Sequence, residues 1–377
     1  MKEEFMLREN NVLKLYGLFL LFFIFFVTGN AIGRQNEITI IDAMGREVTI
    51  KQPVNRIAFS GTCIAEALRL IGVWNKVVGR GYMVIPDKHL YPDIEKLTVI
   101  AMEPPGPYNI NCEKLLELDV DLLITMSFSF EGFKGMNDKI KSRTKVIALD
   151  MFQPDTIKKN FEILGKIFNE EKKSMDYLNW SENVMNKIVN KTSKLSLAQR
   201  KKYFFKWSFG GFDEIRTLSD KFSGMTKVNE ILGGINIAAD LNRAWGGILD
   251  PEWLIQQDLD IIICQDTILN GYGIGVDNNE VIRSYRKKVM GLSVLASSKA
   301  VKNKKVYMIS PQFMHSSGFV IYFAYLAKWF HPDLFHDFDP ESIHQEYLTR
   351  FMDVDYNLKK HGVFVYPYST DATRFDQ

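Results

Sequence analysis

Hydrophobic and polar positions first sort the chain near residue 40. "IDAMGREVTIKQPVNRIAFSG", residues 41–61, alternates at the strand period on both sides of a turn at Met44-Gly45-Arg46. Pro53 then breaks the pattern, and a third strand, Arg56 to Phe59, runs into small polar residues, Ser60-Gly61-Thr62. Downstream, "KVVGRG", "LTVIAM", "DLLITM" and "KVIALD" are short apolar runs of strand length, with helices such as "CIAEALRLIG" and "INCEKLLEL" between them. "KKYFFKWSF", "DIIICQD" and "KVYMIS" repeat that character later, among the helical stretches "GMTKVNEILGG", "DPEWLIQQ" and "SGFVIYFAYLAKWF". Strands alternating with helices predict parallel sheets. Ligands of such sheets bind beyond the carboxyl ends of the strands.

Two segments match without a gap, 139 positions apart: "NCEKLLELDVDLLI" from Asn111 and "DPEWLIQQDLDIII" from Asp250. Glu113 falls on Glu252, Asp119 on Asp258 and Asp121 on Asp260. Asn111 and Asp250 are good N-caps, and Pro251 suits a first helical position, where its missing N–H is not needed. Each short helix leads through Asp-x-Asp into a continuous apolar run, as expected of a strand covered on both faces. The repeat predicts two similar α/β lobes. Between the copies, Ile157, Phe161, Leu164 and Ile167, then Met175, Leu178, Val184 and Ile188, recur at helical spacing. Residues 154–202 therefore read as a long joining helix with only modest rocking at the joint.

The 377 residues suit two domains at about 100–200 residues each. A 46% hydrophobic share supports real cores, and a net charge of +2 gives no global field for nucleic acid. The N-terminus departs from this composition. Lys14 precedes an almost unbroken apolar run from Leu15 to Val27, with small residues Gly29 and Ala31 behind it. The run is shorter than the roughly 20 residues of a spanning helix and fits a signal peptide over 1–31. An uncleaved anchor is the alternative, and Met6 is an alternative start. No Cys follows the run to accept a lipid. Cys63, Cys112 and Cys264 are too few and too far apart for a disulfide framework and are expected to fill apolar gaps.

Asp42, Gly45, Arg46 and Val48, then Pro53, Arg56 and Ile57, together with "EALRLIGVWNKVVGRG", the paired "LLELDVDLLI" and "DPEWLIQQDLDIII" units and the long helix, resemble the substrate-binding proteins of ABC importers for ferric siderophores, haem and vitamin B12. The likeness runs from Glu37 to about Phe330. It implies an α/β fold of two Rossmann-like lobes joined by one long helix, with the ligand cleft between the lobes. The lobes would span 37–153 and 203–334, and residues 335–377 would pack on them as an extension. The hairpin would cap the first lobe, and the third strand would bring Ser60 and Thr62 to the cleft. The resemblance further implies a monomer working outside the cytoplasmic membrane, in the periplasm or on its outer face. It would deliver a small metal chelate to a permease and ATPase complex. In the family one glutamate on each lobe docks on permease arginines; Glu113 and Glu252 match those positions. The repeat converges on the same pair. Acids in a first helical turn also offset the helix dipole.

Aromatic residues make up 13% of the chain. Tyr82, Tyr108, Phe128, Phe130, Phe212, Trp245 and Tyr272 fall near strand ends, where they suit a large flat or amphipathic ligand. Core packing is the competing role. Arg80, Arg243 and His315 could add charge or an imidazole. "RAWGG", from Arg243, is one residue out of step with the Arg-x-x-Trp of vitamin B12-binding relatives. His331, His336 and His344 match no zinc spacing, so no metal site or resident cofactor is expected. "GYGIG" lacks the Lys-Ser/Thr of a phosphate loop, and "SFGGF" lacks hydrolase spacing. No catalytic set emerges. A chelatase-like tetrapyrrole enzyme and an anchored sensor of the same fold remain the alternatives to a solute receptor.

Overall fold

The computed structural model describes residues 36–368 apart from 82–86, 102–108, 128–129, 142, 152–153, 209–213, 219–224, 241–246, 268–270 and 315. Its first element is the expected hairpin, β1 (Asn36–Ile41) antiparallel to β2 (Glu47–Gln52). Asp42 organises the turn. Its carboxylate accepts from the N–H groups of Met44 and Arg46 at 2.9 and 3.0 Å and pairs with the Arg46 guanidinium at 2.7 Å. Gly45 takes the left-handed φ of 73° that the turn requires. Asp42 also accepts from Ala148 N–H at 3.1 Å, which ties the hairpin to the first lobe.

That lobe is a five-stranded parallel sheet. β3 (Ile57–Phe59) lies at its centre, β4 (Val77–Arg80) and β5 (Thr98–Val99) to one side, β6 (Leu122–Met126) and β7 (Lys145–Leu149) to the other. β6 is buried along its whole length, as its unbroken apolar run requires. The second lobe repeats the plan. β8 (Lys201–Ser208) and β12 (Ile261–Asp266) pair in parallel at its centre, flanked by β10 (Gly234–Asn236) and β13 (Val306–Ile309). A short ribbon of β9 (Arg216–Thr217) and β11 (Gly247–Ile248) stands apart.

The repeat is physical. Asn111 caps its helix by accepting from Lys114 N–H at 3.1 Å, and Asp250 does so from Trp253 N–H at 2.8 Å. Asp121 then clamps the N–H groups of Asn55 and Arg56 beside β3, while Asp260 holds Lys202 N–H on β8 and the Lys299 ammonium. The second Asp of each Asp-x-Asp therefore locks the central strand of its lobe to the next.

The joining segment differs from the single helix expected over 154–202. It is two helices, Pro154–Phe168 and Glu171–Thr192, packed on each other, and only the second joins the lobes. Asn169 breaks the run with φ 55°, and Glu170 N–H returns to Gly165 C=O at 2.8 Å, a helix-ending bond of the Schellman kind. Gly165 lets the helices close, since a Cβ there would sit 3.1 Å from the Glu171 Cα.

The C-terminal extension is also more than surface cover. The helix Pro340–Glu346 continues into a wide π-type turn, Tyr347–Phe351, and the chain ends its described course as β14 (Val365–Tyr366), an edge strand antiparallel to β13. Residues assigned to an appendage thus complete the second lobe's sheet. One core cluster runs through the first lobe, both joining helices and the Phe319–Phe330 helix of the second lobe, with Tyr347, Leu348 and Phe351 of the extension inside it.

Candidate interlobe site

Within each sheet the parallel strands deliver their carboxyl ends to one edge, and the loops there are where a ligand would be met. β3 ends at Ser60, β4 at Arg80-Gly81, β8 at Ser208, β12 at Asp266 and β13 at Ser310. The loops after β3 and β13 meet: Thr62 and Gln312 line one cavity of about 60 Å³ with Glu66, Tyr91, His344 and Tyr347. Small-molecule sites run to about 300–1,000 Å³, so this cavity is too small for a chelate.

Glu66 is the centre of that junction. It is buried on the Thr62–Leu70 helix of the first lobe, yet its carboxylate accepts from Ser317 N–H of the second lobe at 3.0 Å and from the Tyr347 hydroxyl of the extension. The Tyr177 hydroxyl, on the joining helix, donates to Ser317 C=O at 2.7 Å. Burial raises the Glu66 carboxyl to about 7; bonds from Tyr347, Ser316, Ser317 and Gly318 pull the other way. Burial, and then the Glu66 charge, also hold the hydroxyls of Tyr91, Tyr177 and Tyr347 well above the ordinary tyrosine range. The sequence carried one signal of this centre: a lone acid on the apolar face of "CIAEALRLIG".

The expected site residues divide. Thr62 lines the junction cavity. Ser60 does not reach a surface: it is fully buried, and a Cβ on Gly81 would come within 2.9 Å of its Cα. The tight approach of Gly81 thus covers Ser60 on that side. Arg80 sits half-buried at the end of β4, and its Nε is buried with no hydrogen bond among the described residues. The Tyr272 hydroxyl turns into the second lobe's core, where burial, Cys264, Tyr285 and Asp266 raise its pKa well above the usual range. Phe130 opens the helix Phe130–Ile140. Tyr82, Tyr108, Phe128, Phe212, Arg243, Trp245 and His315 lie outside the described residues.

Glu113 and Glu252 stand exposed in the first turns of Cys112–Glu117 and Pro251–Ile255. Beside them are exposed apolar side chains at equivalent places, Leu116 and Ile255, and Trp253 besides. Lys206, which the sequence pattern did not single out, is buried on β8 with its ammonium 5.9 Å from the Tyr285 ring centre. The histidines are engaged separately. His331 Nε2 meets Leu232 C=O at 2.7 Å, His336 meets Asp333 C=O, and His344 is buried edge-on between Phe313 and Phe364. Among the described residues no group of three His, Cys, Asp or Glu could hold a metal ion. All three cysteines are free; Cys63 contacts the Met126 sulfur at 3.4 Å, and burial pushes the Cys264 thiol up to about 12.

Two lobes of equivalent parallel sheets, crossed once by a long helix and meeting at their carboxyl-end loops, define a two-lobed solute receptor. Residues 57–313 match the family described as periplasmic binding protein, and the chain belongs to that family. It is 26% identical over 304 residues to the uncharacterized ABC transporter substrate-binding lipoprotein YvrC of Bacillus subtilis, covering 79% of this chain and 87% of YvrC. It is 20% identical over 355 residues to the molybdate-binding protein MolA of Haemophilus influenzae, covering 85% and 90%. The crystal structure of the TroA-like periplasmic binding protein FepB from Veillonella parvula superposes with TM-score 0.72 at 19% identity, over 87% of this chain and 99% of that one. By its name YvrC is the substrate-binding component of an ABC transporter.

Proposed function

We propose that this receptor captures an iron complex, a ferric siderophore or haem, or a corrinoid, between its lobes outside the cytoplasmic membrane and hands it to a permease. The observation that carries the ligand class is Arg80. A guanidinium Nε that is buried without a hydrogen bond among the described residues, at the carboxyl end of β4, beside the central strand, is a donor waiting for an acceptor. Carboxylate and catecholate groups of chelates supply one, and Arg engages such groups in bidentate fashion. Export would rest on residues 1–31. No helix among the described residues is long and apolar enough to cross a membrane.

A second ligand, an oxyanion such as molybdate, is favoured by the same Arg80 donor and by the likeness to MolA. Titration of the purified protein with a ferric catecholate, haem, cyanocobalamin and molybdate, followed by tryptophan fluorescence and equilibrium dialysis, separates them. Saturable binding of one metal chelate at about micromolar affinity or tighter is expected. Tight binding of molybdate alone would move the assignment to the oxyanion, and binding of a sugar or amino acid instead would end both.

The permease would be met through Glu113 and Glu252. Their support is the equivalence of the two helices, each presenting an exposed acid and, three residues on, an exposed aliphatic side chain on the same helical face. Acidic groups beside apolar ones suit a partner surface with basic residues around an apolar centre.

A further inference from the structure

We propose that the C-terminal extension is a strap that fixes the angle between the lobes. It leaves the second lobe at the Phe319–Phe330 helix, grips the first lobe around Tyr347 to Met352, and returns to the second lobe. At its far end β14 pairs with β13, Ser310 N–H donates to Phe364 C=O at 2.8 Å, and His361 pairs with Asp277 at 2.9 Å, all on the second lobe. At its near end the Tyr347 hydroxyl bonds Glu66 and the Arg69 guanidinium bonds Met352 C=O, both on the first lobe. The same turn grips the joining helix. Arg350 pairs with Asp176 at 2.5 Å, Tyr347 stacks on Trp180, and Phe351 packs against Tyr177 and Trp180 with ring centres 5.7 and 4.9 Å away.

The span between these anchors is short and stiffened. Gln345 donates to Tyr356 C=O at 2.7 Å and accepts from Leu358 N–H at 2.9 Å, which closes the intervening turn on itself. A rotation of one lobe on the other would therefore have to pull Tyr347 off the buried Glu66, strip Phe351 from the joining helix, or peel β14 from its sheet. Each leaves a buried polar group without its bond or exposes aromatic surface. Lobes held only by the Glu171–Thr192 helix could rock; lobes held also by a second, parallel connection cannot rock without breaking it. The strap acts on lobe geometry whatever ligand the cleft takes.

Spin labels at two exposed positions, Lys141→Cys on the first lobe and Lys287→Cys on the second, in a Cys112→Ser background, read the interlobe distance distribution by pulsed electron resonance. The full chain is expected to give one narrow distance. Two perturbations sever the strap differently. A protease site inserted between the exposed Lys360 and His361 lets the folded protein be nicked there, and Tyr347→Phe with Arg350→Ala removes the near-end grip. Either is expected to widen the distribution about twofold. A broad distribution in the intact chain, or no widening in both the nicked protein and the double variant, overturns the strap.

Discussion

The Glu66 carboxylate of the first lobe accepts the Ser317 N–H of the second lobe at 3.0 Å, across 251 positions of chain. Ser317 immediately precedes Gly318, the N-cap of the Phe319–Phe330 helix, so the acid faces the positive end of a helix dipole as well as a bond donor. The bond joins the two lobes directly, and the carboxylate that makes it is buried at a cost.

That cost predicts a pH dependence of stability. The folded Glu66 titrates near 7, above its ordinary 4.5, because burial disfavours the charge. The folded state then binds the proton more tightly than the unfolded state. Stability falls as pH rises from about 4.5 through 7 and is lowest above that window. Urea unfolding at pH 5.5 and pH 8 should show the wild-type chain more stable at the lower value, by on the order of 2 kcal/mol at most. Glu66→Gln should flatten the dependence. A wild-type curve that is flat, or a Glu66→Gln curve as steep as wild type, contradicts the assignment.

The hairpin predicts a purely structural defect. Asp42 has its side chain wholly buried while pairing with Arg46 and accepting three backbone N–H groups. Asp42→Ala removes the carboxylate that those three N–H groups and the Arg46 guanidinium share and should lower stability by about 2–4 kcal/mol. Chemical denaturation gives the loss. Ligand affinity of the folded fraction should be unchanged, since the hairpin joins the lobe at Ala148 on β7.

Arg80 predicts the reverse, a binding defect with little loss of stability. Arg80→Ala should weaken the bound anion at least about tenfold, and Arg80→Lys should recover only part of it, because an ammonium cannot reproduce the planar guanidinium fork. Isothermal titration with whichever solute binds decides it. Equal affinity in all three proteins would remove Arg80 from the site.

Much of this was legible in the chain. The continuous apolar run Leu122–Met126 could only be a strand buried on both faces, and Asn111 and Asp250 announce helix starts by local chemistry. Asp42, Gly45 and Arg46 spell out their own turn. What stayed hidden depends on partners far apart in sequence. Nothing near Tyr347 points to Glu66, 281 positions away, and nothing near Val365 says that it finishes the sheet begun at Lys201. Asn169 was hidden for another reason. Apolar spacing continues across it, and one left-handed residue turns the chain without disturbing the pattern. The burial of Ser60 was not legible either, because a small polar residue after a strand looks the same in sequence whether it is exposed or packed beneath Gly81.

The final prediction concerns the permease. Glu113→Ala with Glu252→Ala should reduce transport while ligand affinity and melting temperature stay as they were, and reversal to Lys should be worse, because like charges would then meet. The flanking side chains extend the test. Leu116 and Ile255 are 37% and 51% exposed while the leucines beside them, Leu115 and Leu254, are almost wholly buried. Apolar side chains left this exposed at equivalent places on two lobes gain less from folding than the core leucines beside them, so Leu116→Ser with Ile255→Ser should leave the fold intact and weaken docking. If the acids served only their helix dipoles, the alanine pair would lower the melting point and transport would be normal. Melting curves and uptake assays on the same four proteins separate the outcomes. Normal uptake by the lysine pair would exclude this face as the docking surface.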